Sequence, residues 1–222
     1  MRAPHPPAAV VFDCDGLLLD TESAWSRAEA VLYRRYGAEF TLEHKRELIG
    51  TAGAVASAIV ERHLGRPGEG AALRDELNEI VFTEVGRSAP PQPGAVELVR
   101  ALRAEGVALG VASNSPAALV DLALRVAGLD GEFASVVTVD HVEHPKPAPD
   151  IYLASCRALG AAPERAVALE DSPTGVASAR AAGLYVVGVP SLEGVTLPDA
   201  HLQQSSLRAH EVWRAVGLRL AA

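Results

Sequence analysis

Val10-Val11-Phe12-Asp13-Cys14-Asp15-Gly16-Leu17-Leu18-Leu19-Asp20-Thr21 is an apolar run that stops on an acid. Val10 to Phe12 is β-branched and aromatic, as a buried parallel strand requires. Asp13 then falls at the carboxyl end of that strand, where open α/β sheets bind ligands. Gly16 lets the chain turn sharply straight afterwards. Because side chains alternate along extended chain, Asp13 and Asp15 point to one side and Cys14 to the other. One carboxylate can attack while the other carries a proton. A calcium loop would need a third acid or amide before its glycine, whereas Gly16 follows Asp15 directly. Asp20, taken alone, reads as a helix cap.

Beyond this run the chain turns helical. Trp25, Ala28, Val31, Leu32 and Tyr36 fall at helical spacing from Glu22 to about Tyr36. Helical patterns recur at Leu42 to Ile49, Val55 to Leu64 and Ala71 to Val85. The turns between them are Gly50-Thr51-Ala52-Gly53 and Gly65-Arg66-Pro67-Gly68. After the Pro-rich connector Ser88 to Gly94 the pattern changes to alternating helix and short apolar strand. Strands are expected at Val107–Ala112, Ser135–Val139, Ala166–Leu169 and Tyr185–Val189, with helices at Ala95–Glu105, Pro116–Ala127, Pro149–Leu159 and Thr174–Ala182 and a last one around Leu207–Val216. The fold class expected is α/β: a doubly wound parallel sheet, Rossmann-like, formed by residues 1–20 and 88–222, with the first strand near the middle. Residues 21–87 form an inserted α-helical cap, hinged at Gly16–Thr21 and Ser88–Pro93.

Three later segments bring chemistry to the same edge. Ser113-Asn114-Ser115-Pro116 ends the second strand, with Ser115 suited to cap the next helix and Pro116 to begin it. Free backbone N–H groups there make either an anion site or an ordinary capped helix. Lys146 lies between prolines in His144-Pro145-Lys146-Pro147, where it is either a solvated loop lysine or a compact positive charge for Asp13 and an anion. Glu170-Asp171-Ser172-Pro173 ends the fourth strand. Asp13, Glu170 and Asp171 would converge there, and three gathered carboxylates call for a hard cation such as Mg²⁺. His141 and His144 are read as surface residues.

Composition bounds the partners. The 222 residues suffice for one sizeable core and an inserted lobe, and 49% hydrophobic with 22% charged residues is typical of a globular protein. A net charge of −8 argues against nucleic-acid or anionic-membrane partners, which ask for a basic face. No apolar run approaches the roughly 20 residues that span a bilayer. The two cysteines do not look like a disulfide framework, and with no secretion signal at the Pro-rich start a reducing cytoplasm is expected.

Asp13-Cys14-Asp15-Gly16, Ser113, Lys146-Pro147 and Glu170-Asp171, in this order and each tied to a strand end, resemble the four motifs of the haloacid dehalogenase superfamily. The helical insertion and the run Asp20-Thr21-Glu22 resemble its β-phosphoglucomutase-like branch, which includes many sugar-phosphate phosphatases. The resemblance implies Asp13 as nucleophile, Asp15 as general acid and base, and Lys146 as the charge that neutralises the transferred group. It implies Ser113, the N–H of Asn114 and Lys146 as the phosphate grip. Mg²⁺ would be held by Asp13, the backbone carbonyl of Asp15 and Asp171, with Glu170 acting through water. The partner implied is a small phosphorylated metabolite, most simply a sugar phosphate, and monomer is the family default.

Three rivals stand beside this. A sugar-phosphate mutase of the branch would carry a His near position 25 and an Arg after the cap's Gly turn, but Trp25 and Gly50-Thr51-Ala52-Gly53-Ala54 supply neither. A carbon-attacking dehalogenase has no use for Asp15. A non-catalytic binder of phospholigands would be expected to have lost a nucleophile or ligand. The cap also shows no basic cluster for a second phosphate, which argues against bisphosphate substrates.

Overall fold

A computed structural model describes residues 2–48, 53–192 and 194–218. The Gly50-Thr51-Ala52-Gly53 turn lies for the most part outside them. The chain divides into two compact units, residues 1–20 with 90–222 and residues 21–89.

Among the described residues the first unit is built on six parallel strands: β1 (Ala9–Phe12), β2 (Ala108–Ser113), β3 (Ser135–Thr138), β4 (Ala166–Glu170), β5 (Tyr185–Gly188) and β6 (Leu202–Gln203). Their order is β3-β2-β1-β4-β5-β6, the doubly wound arrangement expected, with β1 in the interior. The order reverses on either side of β1, and it is at the carboxyl ends of strands at such a switch point that open α/β sheets bind ligands. Phe12 pairs in register with Val111 of β2 and Leu169 of β4. Asp13, Ser113 and Glu170 therefore leave the sheet within a residue of one another. All four residues of β1 and all five of β4 are buried, because helices cover both faces.

Between the strands run α5 (Ala95–Ala104), α6 (Ala117–Val126), α7 (Asp150–Ala158) and α8 (Pro173–Ala181), with α9 (His210–Ala215) at the end. The second unit is made up of α1 (Glu22–Arg35), α2 (Leu42–Leu48), α3 (Gly53–Leu64) and α4 (Gly70–Arg87). On one face of the sheet Val11, Ala168 and Val186 pack with Ile151, Tyr152 and Cys156 of α7 and Val176 and Ala179 of α8. β6 was not expected. It is two residues long and half polar, so it carries no alternation to read, and it exists because Val187 and Gly188 offer it an edge.

In the helical unit the buried face of α1 is Ala24, Ala28, Leu32 and Tyr33, with Trp25 and Tyr36 only half-buried. Tyr33 packs edge-on against Phe40 at 4.9 Å. The buried Glu29 is paired with Lys45 at 3.1 Å, which offsets the cost of burying its charge.

Candidate active site

Asp13 follows β1 directly, and its N–H donates to Leu169 O at 3.0 Å, so the backbone of β4 fixes where the acid leaves the sheet. The chain then turns through Gly16 at φ +83°. A Cβ at that position would stand 2.2 Å from Asp171 Oδ2. Glycine is needed here for both the backbone conformation and the approach of the second acidic segment.

Lys146 is buried, which removes the solvated-loop alternative. Its Nζ donates to Asp13 Oδ1 at 2.5 Å and to Glu170 Oε1 at 2.6 Å. Its backbone is held as well: Asn114 Nδ2 donates to Lys146 O at 3.1 Å, and Lys146 N donates to Asn114 Oδ1 at 2.9 Å. Burial alone would lower the ammonium's pKa, yet Asp13 and Glu170 hold it above the ordinary lysine value, so it stays charged.

Glu170 is fully buried at the end of β4. Oε1 accepts from Lys146 and from Tyr152 Oη at 2.6 Å, and Oε2 accepts from Asp171 N at 3.2 Å and Ser172 Oγ at 3.3 Å. Ser172 caps α8 by accepting from Gly175 N at 3.1 Å, with Pro173 in the first turn as the sequence suggests. Asp171 Oδ2 accepts from Ser191 Oγ at 2.5 Å.

Asp13, Glu170 and Asp171 each offer an oxygen within 4.8 Å of the others. Burial raises the Asp13 pKa, Lys146 opposes it, and Glu170, Asp171 and Asp15 push it further up. One ammonium against this many carboxylates leaves the cluster short of positive charge. An all-oxygen donor set with that deficit fits a hard divalent cation such as Mg²⁺.

Asp15 Oδ2 accepts from Ser113 Oγ at 2.8 Å and from Ser115 Oγ at 2.9 Å. Ser115 N in turn donates to Ser113 Oγ at 3.0 Å. This corrects the expected helix start. Pro116, not Ser115, occupies the cap position of α6, and Ser115 turns its hydroxyl to Asp15 instead. Ala117 N at that helix start donates to Asp140 Oδ2 at 2.8 Å. His141 and His144 are exposed, as read.

Sequence reasoning did not find Tyr152, Ser115 as a partner of Asp15, or Ser191. Ser191 was findable, since it follows β5 just as the other site residues follow their strands. Tyr152 sits in a helix whose apolar spacing gives no sign of a polar partner.

An all-parallel sheet with acids, a buried lysine and hydroxyls at its carboxyl edge makes this a doubly wound α/β protein with a polar site where such sheets bind ligands. The family model for haloacid dehalogenase-like hydrolases matches residues 7–183, and the chain belongs to that family. It is similar to hexitol phosphatase B of Escherichia coli O157:H7, 31% identical over 93% of this chain and 96% of that one. It is similar also to the fructose-1-phosphate phosphatase YqaB of Escherichia coli strain K12, at 33% over 82% of this chain and 96% of that one. Among solved structures, a mutant of CbbY from Rhodobacter sphaeroides in complex with xylulose-1,5-bisphosphate superposes with a TM-score of 0.80 at 27% identity, covering 92% of this chain and 96% of that one.

Proposed function

We propose that the protein is a Mg²⁺-dependent phosphatase that hydrolyses a small phosphomonoester, a sugar phosphate, through an aspartyl-phosphate. The observation that carries this reading is the Lys146 ammonium shared between Asp13 and Glu170, with Asp171 beside them and Asp15 held apart on two serines. The relatives named as hexitol and fructose-1-phosphate phosphatases support the substrate class.

Asp13 attacks phosphorus, the ester P–O bond breaks, and Asp15 gives its proton to the leaving alkoxide. Asp15 then takes a proton from water as that water attacks phosphorus and the bond to Asp13 breaks, returning both acids to their starting state. Lys146 neutralises the meeting of two anions, which would otherwise repel. Asp13, the Asp15 carbonyl and Asp171, with Glu170 through water, would hold Mg²⁺, which would supply further charge stabilisation for the phosphoryl group. Ser113 and the N–H of Asn114 grip the phosphoryl oxygens, with the Ser113 hydroxyl exchanging Asp15 for substrate. Asp15 is suited to proton transfer because its side chain rests on hydroxyls and lies outside the three-carboxylate cluster. The buried free thiols suit a reducing cytoplasm.

The test is phosphate release from a panel of sugar phosphates, nucleotides and p-nitrophenyl phosphate, with and without Mg²⁺, for the wild type, Asp13→Asn and Asp15→Asn. Isomer formation from β-glucose 1-phosphate is followed in the same samples. Mg²⁺-dependent release that disappears in both variants is expected. Isomer in place of phosphate would establish a mutase, and no turnover with Mg²⁺ still bound would point to a binding protein.

A further inference from the structure

Tyr152 is a fully buried side chain that the reaction above does not use. It lies in the first turn of α7, among apolar neighbours that would accept phenylalanine equally well. Its hydroxyl is nonetheless committed: Oη donates to Glu170 Oε1 at 2.6 Å. Its ring also lies under the Lys146 ammonium, with Nζ 5.1 Å from the centroid.

The same Oε1 receives Lys146 Nζ at 2.6 Å, and that nitrogen also holds Asp13 Oδ1 at 2.5 Å. The ammonium is thus balanced between two carboxylates whose settings differ. Glu170 is fully buried, and among the described residues its other oxygen has only the longer contacts to Asp171 N and Ser172 Oγ, at 3.2 and 3.3 Å. In a dry site a poorly compensated carboxylate draws a shared cation strongly. A second short donor on Oε1 lessens that pull.

We propose that Tyr152 is a positioning residue whose hydroxyl satisfies part of Glu170 and thereby keeps the Lys146 ammonium on Asp13. The proposal rests on the phosphatase reading for its kinetic consequence, and on geometry alone for where the ammonium sits. The ring supplies the fixed lever. Tyrosine has two side-chain torsions, both set by packing in the core, so its hydroxyl does not follow Lys146 if the lysine moves.

The experiment compares wild type, Tyr152→Phe and Tyr152→Leu by kcat and KM at saturating Mg²⁺, by thermal melting, and by a crystal structure of the Phe variant. Phe keeps the ring and its packing and removes one donor. Expected for Tyr152→Phe is a fall in kcat of about tenfold, the scale of one lost bond to a charged group, with KM within about twofold. In the crystal Nζ is expected to leave Asp13 for Glu170. Tyr152→Leu should lose at least as much kcat and also melt lower, since the ring is gone. Wild-type kcat in Tyr152→Phe, or Nζ still on Asp13, would overturn the proposal. So would losses that follow the folded fraction alone. If the wild type releases no phosphate from any substrate, the phosphatase reading fails by itself, and the position of Nζ in the Phe variant still decides the role of Tyr152.

Discussion

The Asn114 carboxamide is bonded twice to the Lys146 backbone, Nδ2 to the carbonyl oxygen at 3.1 Å and Oδ1 to the N–H at 2.9 Å. A side chain at the end of β2 thus completes the hydrogen bonding of a loop 32 residues away. Asn114→Ala leaves the backbone N–H of residue 114 in place and removes only this clasp. It should lower kcat by about tenfold and stability by about 1–2 kcal/mol, read from steady-state kinetics and urea unfolding. Asn114→Asp keeps the acceptor and should fall between Ala and wild type. Equal activity in all three would show that the prolines hold Lys146 unaided.

Ser191 orients Asp171 through its bond to Oδ2. Ser191→Ala should raise the Mg²⁺ concentration for half-maximal activity by about tenfold, the usual cost of losing a group that orients a metal ligand. At saturating Mg²⁺ its kcat should return to near the wild-type value. A kcat loss that Mg²⁺ does not restore would place Ser191 in the chemistry instead.

Cation binding should be visible without turnover. With Mg²⁺ at about a hundred times its dissociation constant, the folded state gains about 2.7 kcal/mol, which appears as a higher melting temperature. Asp171→Asn should abolish most of that shift. A melting temperature indifferent to Mg²⁺ in the wild type would contradict a folded-state cation site at Asp13, Glu170 and Asp171.

Gly175 in α8 faces Glu170, whose carboxyl would lie 1.9 Å from a Cβ added there. Gly175→Ala should destabilise the protein by about 1–3 kcal/mol through overpacking and reduce kcat, because Glu170 must move. Gly160 is the control: its φ is +64° and a Cβ there meets nothing within 4 Å. Gly160→Ala should cost about 1 kcal/mol of backbone strain and leave kcat unchanged. Circular dichroism melts and assays on both variants separate the two effects.

Burial pushes the Cys156 thiol up to about 11, and the Cys14 thiol is raised well above its ordinary value by burial and then by Asp15 and Asp13. The thiolate is the reactive form, and both groups hold their protons through pH 8 in the folded state. A disulfide reagent at pH 8 should therefore modify neither cysteine of the native protein and both after denaturation. Rapid labelling of the native protein would show that one of them is accessible.

The strand-end acids were legible because they depend on local facts. Val10 to Phe12 is β-branched and aromatic, which favours a buried strand, and an acid directly after such a strand leaves it at the carboxyl edge. Ser172-Pro173 announces its helix in the same way. The start of α6 was misread at Ser115 because local preference for a capping serine lost to a bond with Asp15, 100 residues earlier. β6 escaped notice since two residues carry no period, and its pairing exists only where β5 offers an edge.

The sequence by itself determined the alternation of strand and helix and the acids that directly follow a strand, since both follow from short-range periodicity and breakers. Only the tertiary structure decided how those residues are partnered. Lys146 is shared by Asp13 and Glu170, Asp15 rests on two serines, and Tyr152 completes Glu170. Lys146 and Asp13 lie 133 residues apart, so their contact is set by sheet order and strand register, which place whole segments side by side. Within that frame the buried polar groups of the site took partners that stood in reach, because leaving one unpaired in a dry core costs more than local preference can offset.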